Sequence, residues 1–132
     1  MRSLLWTASA AALLAFTSPA SALTGKELLQ RCEALERGAV VKGKDIELPA
    51  GRPPAECWSY MGAVQDFTAT VEREGGPSLL GSCVPPDTTR LDIVRTFTRY
   101  ARAHRSDLDL RASALVVQAL AAAYRCPEQR GQ

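Results

Sequence analysis

The sequence predicts a small all-α protein, a disulfide-stapled bundle of about four helices in up-and-down order. Three observations carry that expectation. Apolar residues recur at helical spacing in four separate segments, the stretches between them are rich in glycine and proline, and four cysteines stand in a chain that bears the marks of export.

The first of those marks is MRSLLWTASAAALLAFTSPASALTG, with one positive charge at Arg2, an apolar run from Leu4 to Phe16, then Pro19 and the small triplet Ala20-Ser21-Ala22. This is the layout of a secretory signal peptide over residues 1–22, too short in its apolar part to span a membrane. No cysteine follows the expected cleavage point directly, so a free protein is expected and not a lipid-anchored one. The remaining residues, 23–132, are 110 in number, the size of a single helical domain. Without Arg2, the 16 basic residues become 15 against 14 acidic ones. That near balance predicts no general affinity for nucleic acid or anionic lipid. Arginine far outnumbers lysine, asparagine is absent and alanine is abundant, a bias typical of a GC-rich bacterial genome. Export would then lead to the periplasm.

The first helix begins in LTGKELLQRCEALERG, where Thr24 and Glu27 form a capping box and Leu28, Leu29, Cys32 and Leu35 share one face. Gly38 is its natural stop. Residues 39–56 hold two short apolar pieces around Gly43, then Pro49, Pro53 and Pro54, and predict an irregular loop with room for a small hairpin. From Glu56 to about Arg73, the residues Cys57, Met61, Val64, Thr68 and Val71 form one helical stripe, with Trp58 and Tyr60 off it. Residues 74–87 form a Gly/Pro-rich connection. Thr88 or Thr89 can cap a third helix running to about His104, with Leu91, Val94, Phe97 and Ala101 inward. A fourth is expected from Ser106 or Asp107 to Pro127, so apolar on most sides that it should lie at the centre.

Cys32, Cys57, Cys83 and Cys126 allow three disulfide pairings. A metal site needs close pairs of ligands such as C-x-x-C, and these cysteines are too far apart in sequence for that. No metal or other cofactor is implied. In an up-and-down bundle the end of the first helix lies near the start of the second, and the start of the third near the end of the fourth. That order brings Cys32 toward Cys57 and Cys83 toward Cys126, each bridge stabilising by roughly 2 to 4 kcal/mol.

The one histidine, His104, and Cys57 are the only elements of a Cys/His pair, and nothing nearby would orient the imidazole. Asp107 and Asp109 suit the start of a helix, and Glu72 and Glu74 precede a Gly-Gly turn. No nucleophile elbow, P-loop or dinucleotide fingerprint occurs. Nothing in the chain calls for an enzyme. Arg95, Arg99 and Arg102 make a basic stripe on the third helix, with Arg90 and Arg105 close by, fit to dock an acidic protein surface. Leu79 and Leu80, adjacent in the loop EGGPSLLGS, are a candidate apolar contact.

Taken in order, GKELLQRCEAL, CWSYMGAVQDF, GSCVPPDTTRLDIVRTFTRYARAH and ALVVQALAAAYRCP resemble the Rap1a immunity protein family from Gly25 to Pro127. The matching points are Cys32, then Cys57 with Tyr60 and Gly62, then Cys83 with Pro85, and finally Ala119, Leu120, Tyr124 and Cys126. The chain departs from the family pattern at Arg105 and at Tyr124-Arg125, both at helix ends. The resemblance implies a periplasmic inhibitor that occupies the active-site cleft of a peptidoglycan amidase effector delivered by type VI secretion, often as a homodimer. Two other classes compete with it. One is an orphan periplasmic structural or chaperone-like protein, against which the single histidine counts as too weak an acid switch. The other is a Cys-dependent hydrolase, which would need a free thiol at Cys57.

Overall fold

The computed structural model describes residues 22–73 and 81–126; the expected leader, apart from Ala22, and the pair Leu79 and Leu80 lie outside them. Four helices, α1 (Gly25–Gly38), α2 (Arg52–Arg73), α3 (Arg90–Ala103) and α4 (Ala112–Ala123), carry the fold. Between α1 and α2 stands a hairpin of two three-residue strands, β1 (Val40–Lys42) and β2 (Asp45–Glu47), antiparallel with Val41 opposite Ile46. Its turn passes through Gly43 at φ 63°, a left-handed value that glycine takes without steric cost.

Two helices start on complete capping boxes. The Thr24 and Thr89 hydroxyls accept from the backbone N–H of Glu27 and Asp92, whose carboxylates accept from the backbone N–H of Thr24 and Thr89 in return. Each box satisfies helix-start donors that would otherwise be orphaned. The second helix begins earlier than its apolar stripe suggested, at Arg52 and not Glu56. Pro53 and Pro54 fall in its first turn, where a missing N–H costs no intrahelical bond, so the prolines open the helix and do not prevent it.

The fourth helix begins later than expected, at Ala112, and Arg105–Asp107 form a single 3-10 turn. The cause is tertiary. The carbonyls of Leu108 and Leu110 accept from the N–H groups of Lys26 and Gly25 at 2.8 Å each, and Ala112 N–H donates to Leu23 O, also at 2.8 Å. Residues 108–111 are therefore drawn off the helical path to complete the start of α1. The starts of α1 and α4 become neighbours, joined by a bridge between Thr24 and Arg111. Gly25 permits the approach: a Cβ there would stand 2.5 Å from Leu115 Cδ2 and 3.2 Å from Leu108 O. Asp107 and Asp109 consequently do not cap α4, whose N-cap is Arg111 with no side-chain bond.

The core gathers Leu28, Cys32 and Leu35 of α1, Cys57 and Met61 of α2, Ile93, Val94, Phe97 and Ala101 of α3, and Leu115 and Leu120 of α4. The centre is shared by α1 and α3, each packed against the other three helices. The fourth helix is not central: it buries Ala112, Leu115, Val116, Ala119 and Leu120 and leaves Ser113, Ala114, Gln118, Ala122 and Ala123 exposed. Small side chains made it look apolar all round without giving it enough area to be worth surrounding. Disulfides join Cys32 to Cys57 and Cys83 to Cys126, stapling α1 to α2 and the approach to α3 to the end of α4.

Candidate partner-binding surface

Cys57 is fully buried and bonded to Cys32, so it offers no thiolate. His104 ends α3 in the open, its ring stacked 3.8 Å above that of Tyr100 while its Nδ1–H donates to Tyr100 O at 2.9 Å. Among the described residues, no cluster of three or more His, Cys, Asp or Glu side chains is placed to hold a metal ion. Of the remaining carboxylates considered from sequence, Asp109 is exposed in the turn before α4, Asp107 accepts from the Ser106 hydroxyl, and Glu72 and Glu74 lie where side chains are not described.

The arginine stripe of α3 divides by what its neighbours provide. Arg102 reaches across to α1, where its Nε donates to Glu33 Oε1 at 3.0 Å and its Nη2 to Glu36 Oε2 at 3.1 Å. The Glu33 hydrogen bond is the largest influence holding Arg102 in its charged form. Beneath this pair, the buried Thr98 hydroxyl donates to Glu36 Oε1 at 3.0 Å. Arg102 thus ties α3 to α1. Arg95 and Arg99, one and two turns from the start of that helix, are exposed and have no ion-pair partner among the described residues. A second acid-centred knot lies on the other side of α1, where Glu56 pairs with both Arg31 and Arg52. The Arg52 hydrogen bond lowers the Glu56 pKa from its ordinary value, opposed by burial and helped to a lesser degree by the charges of Arg31 and Arg52.

One constellation was not anticipated as a site. On α2, Trp58, Gly62 and Gln65 follow one another at helical spacing and together receive the side chain of Arg90, the first residue of α3. Arg90 Cζ lies 4.7 Å from the Trp58 ring centroid, and Arg90 Nε–H donates to Gln65 Oε1 at 3.4 Å. Gln65 in turn donates from Nε2 to Thr88 O at 3.2 Å. A Cβ on Gly62 would stand 2.8, 3.0 and 3.1 Å from Arg90 Cζ, Nη1 and Nη2, so the guanidinium lies flat on a patch of backbone that only glycine leaves open. The sequence did carry a trace of this, in a mid-helix glycine one turn after a tryptophan that lies off the apolar stripe.

Exposed apolar side chains are scattered, with Val40 and Val41 on the hairpin, Phe67 on α2 and Leu110 before α4. Among the described residues no helix is long and apolar enough to cross a membrane. Comparison with curated proteins and with solved structures gave no match. A family model described as "Rap1a immunity proteins" matches residues 24–126. That span runs from the capping threonine of α1 to the last cysteine and takes in all four helices and both disulfides, so the chain belongs to the Rap1a immunity protein family.

Proposed function

We infer that the protein is an exported, non-catalytic binding protein that protects a bacterial periplasm by occluding the active-site cleft of a peptidoglycan amidase effector delivered by type VI secretion. Family membership across the whole described fold is the observation that carries this reading. Two features of the chain support it. Cys57, the nucleophile considered from the sequence, is consumed in a disulfide, and two disulfides in so small a domain suit an oxidising compartment and a rigid binding surface. Arg95 and Arg99 supply an exposed basic face for an acidic partner, with Leu79 and Leu80 as a candidate apolar contact beside it in sequence.

The test is inhibition of purified peptidoglycan amidases, above all one encoded beside this gene, by the oxidised protein. Stoichiometric loss of amidase activity and a stable complex are expected. An amidase panel that neither binds nor slows would sink the reading. Within a complex, Arg95→Glu combined with Arg99→Glu should weaken association about tenfold or more and more strongly at low salt, because steering by exposed charge is screened at high ionic strength.

A further inference from the structure

The Arg90 site has a property that the other paired arginines lack. Arg31, Arg52 and Arg102 each meet a carboxylate. Among the described residues the groups that hold Arg90 are neutral: the Trp58 ring, the Gly62 backbone and the Gln65 amide. No carboxylate among the described residues is within ion-pair distance of it, and its Nη1 and Nη2 groups have no acceptor there. The arrangement has a cost. A glycine inside a helix is about 1 kcal/mol less favourable than alanine, and Gly62 is the residue whose missing Cβ makes room for the guanidinium. The side chain that would be hardest to order on binding is therefore oriented in advance, with no ion pair among the described residues.

We propose that Arg90 is a preset anchor for a carboxylate side chain of a protein partner, with Nη1 and Nη2 taking its two oxygens in the guanidinium plane and Trp58 packing the flank. The planar guanidinium fork matches the two oxygens of one carboxylate. Tryptophan and arginine are also the residue types that most often dominate protein interfaces. The proposal rests on the chain being a protein-binding module, though not on its partner being an amidase.

The test uses the full chain carrying Trp6→Phe, which leaves Trp58 as its sole tryptophan. Titration with a hexaglutamate peptide should change Trp58 emission saturably and in a salt-sensitive way, whereas hexalysine should not. Arg90→Gln should weaken that binding about ten- to hundredfold, the range of a lost charge-assisted hydrogen-bonded pair. Arg90→Lys, which keeps the charge and loses the fork, should also weaken it. Gly62→Ala should leave the melting temperature equal or higher and still weaken binding, because the new Cβ displaces the guanidinium while favouring the helix. An emission change that is absent in the parent, unaltered by Arg90→Gln, or abolished by Arg95→Gln with Arg99→Gln would overturn the proposal. Hexaglutamate binding at Arg90 without inhibition of any amidase would remove the effector reading and keep the anchor; inhibition that Arg90→Gln leaves intact, with no peptide binding, would remove the anchor and keep the effector.

Discussion

Individual carboxylates in this protein act mainly as clamps, and pH should reveal them. Glu27 is lowered from the ordinary value of 4.5 chiefly by the Thr24 backbone hydrogen bond, and Glu56 from the same value chiefly by Arg52. A carboxyl whose folded pKa is depressed adds stability that is fully present above its unfolded pKa and is lost as pH falls through the folded value. The melting temperature should accordingly be flat from pH 7 to about 5 and fall below about pH 4.5, and Glu56→Gln should flatten part of that fall. Glu27 is exposed and the Glu56 side chain is 31% exposed, so each effect is small. The same exposure limits Arg102. Although it bridges two glutamates, its side chain is 48% exposed, and Arg102→Ala should cost under about 1 kcal/mol in chemical denaturation. Phe97→Ala, at a side chain only 1% exposed, should cost about 3 to 5 kcal/mol. A loss at Arg102 as large as that at Phe97 would contradict the assignment of stability to the apolar core.

At the scale of the element, the helix starts are unequal. Thr24 and Thr89 each complete a capping box, and changing either to alanine should destabilise by about 1 kcal/mol. By contrast, Arg111 at the start of α4 makes no side-chain cap. Arg111→Asp should stabilise by about 0.5 to 1 kcal/mol, through a new hydrogen bond to the first turn and a favourable charge at the helix dipole; a lower melting temperature would show that Arg111 does something the cap reading omits. The element boundaries show where sequence patterns mislead. Prolines at 53 and 54 looked like loop, yet in a first turn they are compatible with helix. Residues 106–111 looked like the opening of α4, yet the carbonyls of Leu108 and Leu110 are claimed by Lys26 and Gly25. Local propensity is visible in the chain; a competing hydrogen-bond partner from a segment more than eighty residues away is not.

Across the whole molecule the two disulfides differ in what they stabilise. Cys83–Cys126 spans 43 residues and Cys32–Cys57 spans 25, a difference worth only about 0.5 kcal/mol in favour of the longer loop on chain entropy. Burial reverses the order. Both sulfurs of Cys32–Cys57 are in the core at 0% exposure, while Cys83 is exposed. Cys32→Ala with Cys57→Ala opens a cavity costing more than 1 kcal/mol on top of the lost bridge. That pair should therefore be the more destabilising double variant in thermal unfolding, and an equal or smaller loss than from Cys83→Ala with Cys126→Ala would show that loop closure dominates.

By itself the sequence determined the helical class, the inward faces of α1 and α3 and the first turns of that of α2, the capping box at Thr24, a threonine cap for α3 and a topology that sets Cys32 toward Cys57 and Cys83 toward Cys126, because these follow from spacing and from the chemistry of neighbouring residues. Only the tertiary structure decided which helices occupy the centre, where α4 begins, and which arginines are spent inside the fold. Arg102 and Arg90 are alike in the sequence, each a basic residue on α3. What separates them is the helix each one meets: α1 offers Arg102 two carboxylates, and α2 offers Arg90 a ring, an amide and a glycine. That distinction is an interaction between surfaces, and a surface is fixed only once the chain has folded.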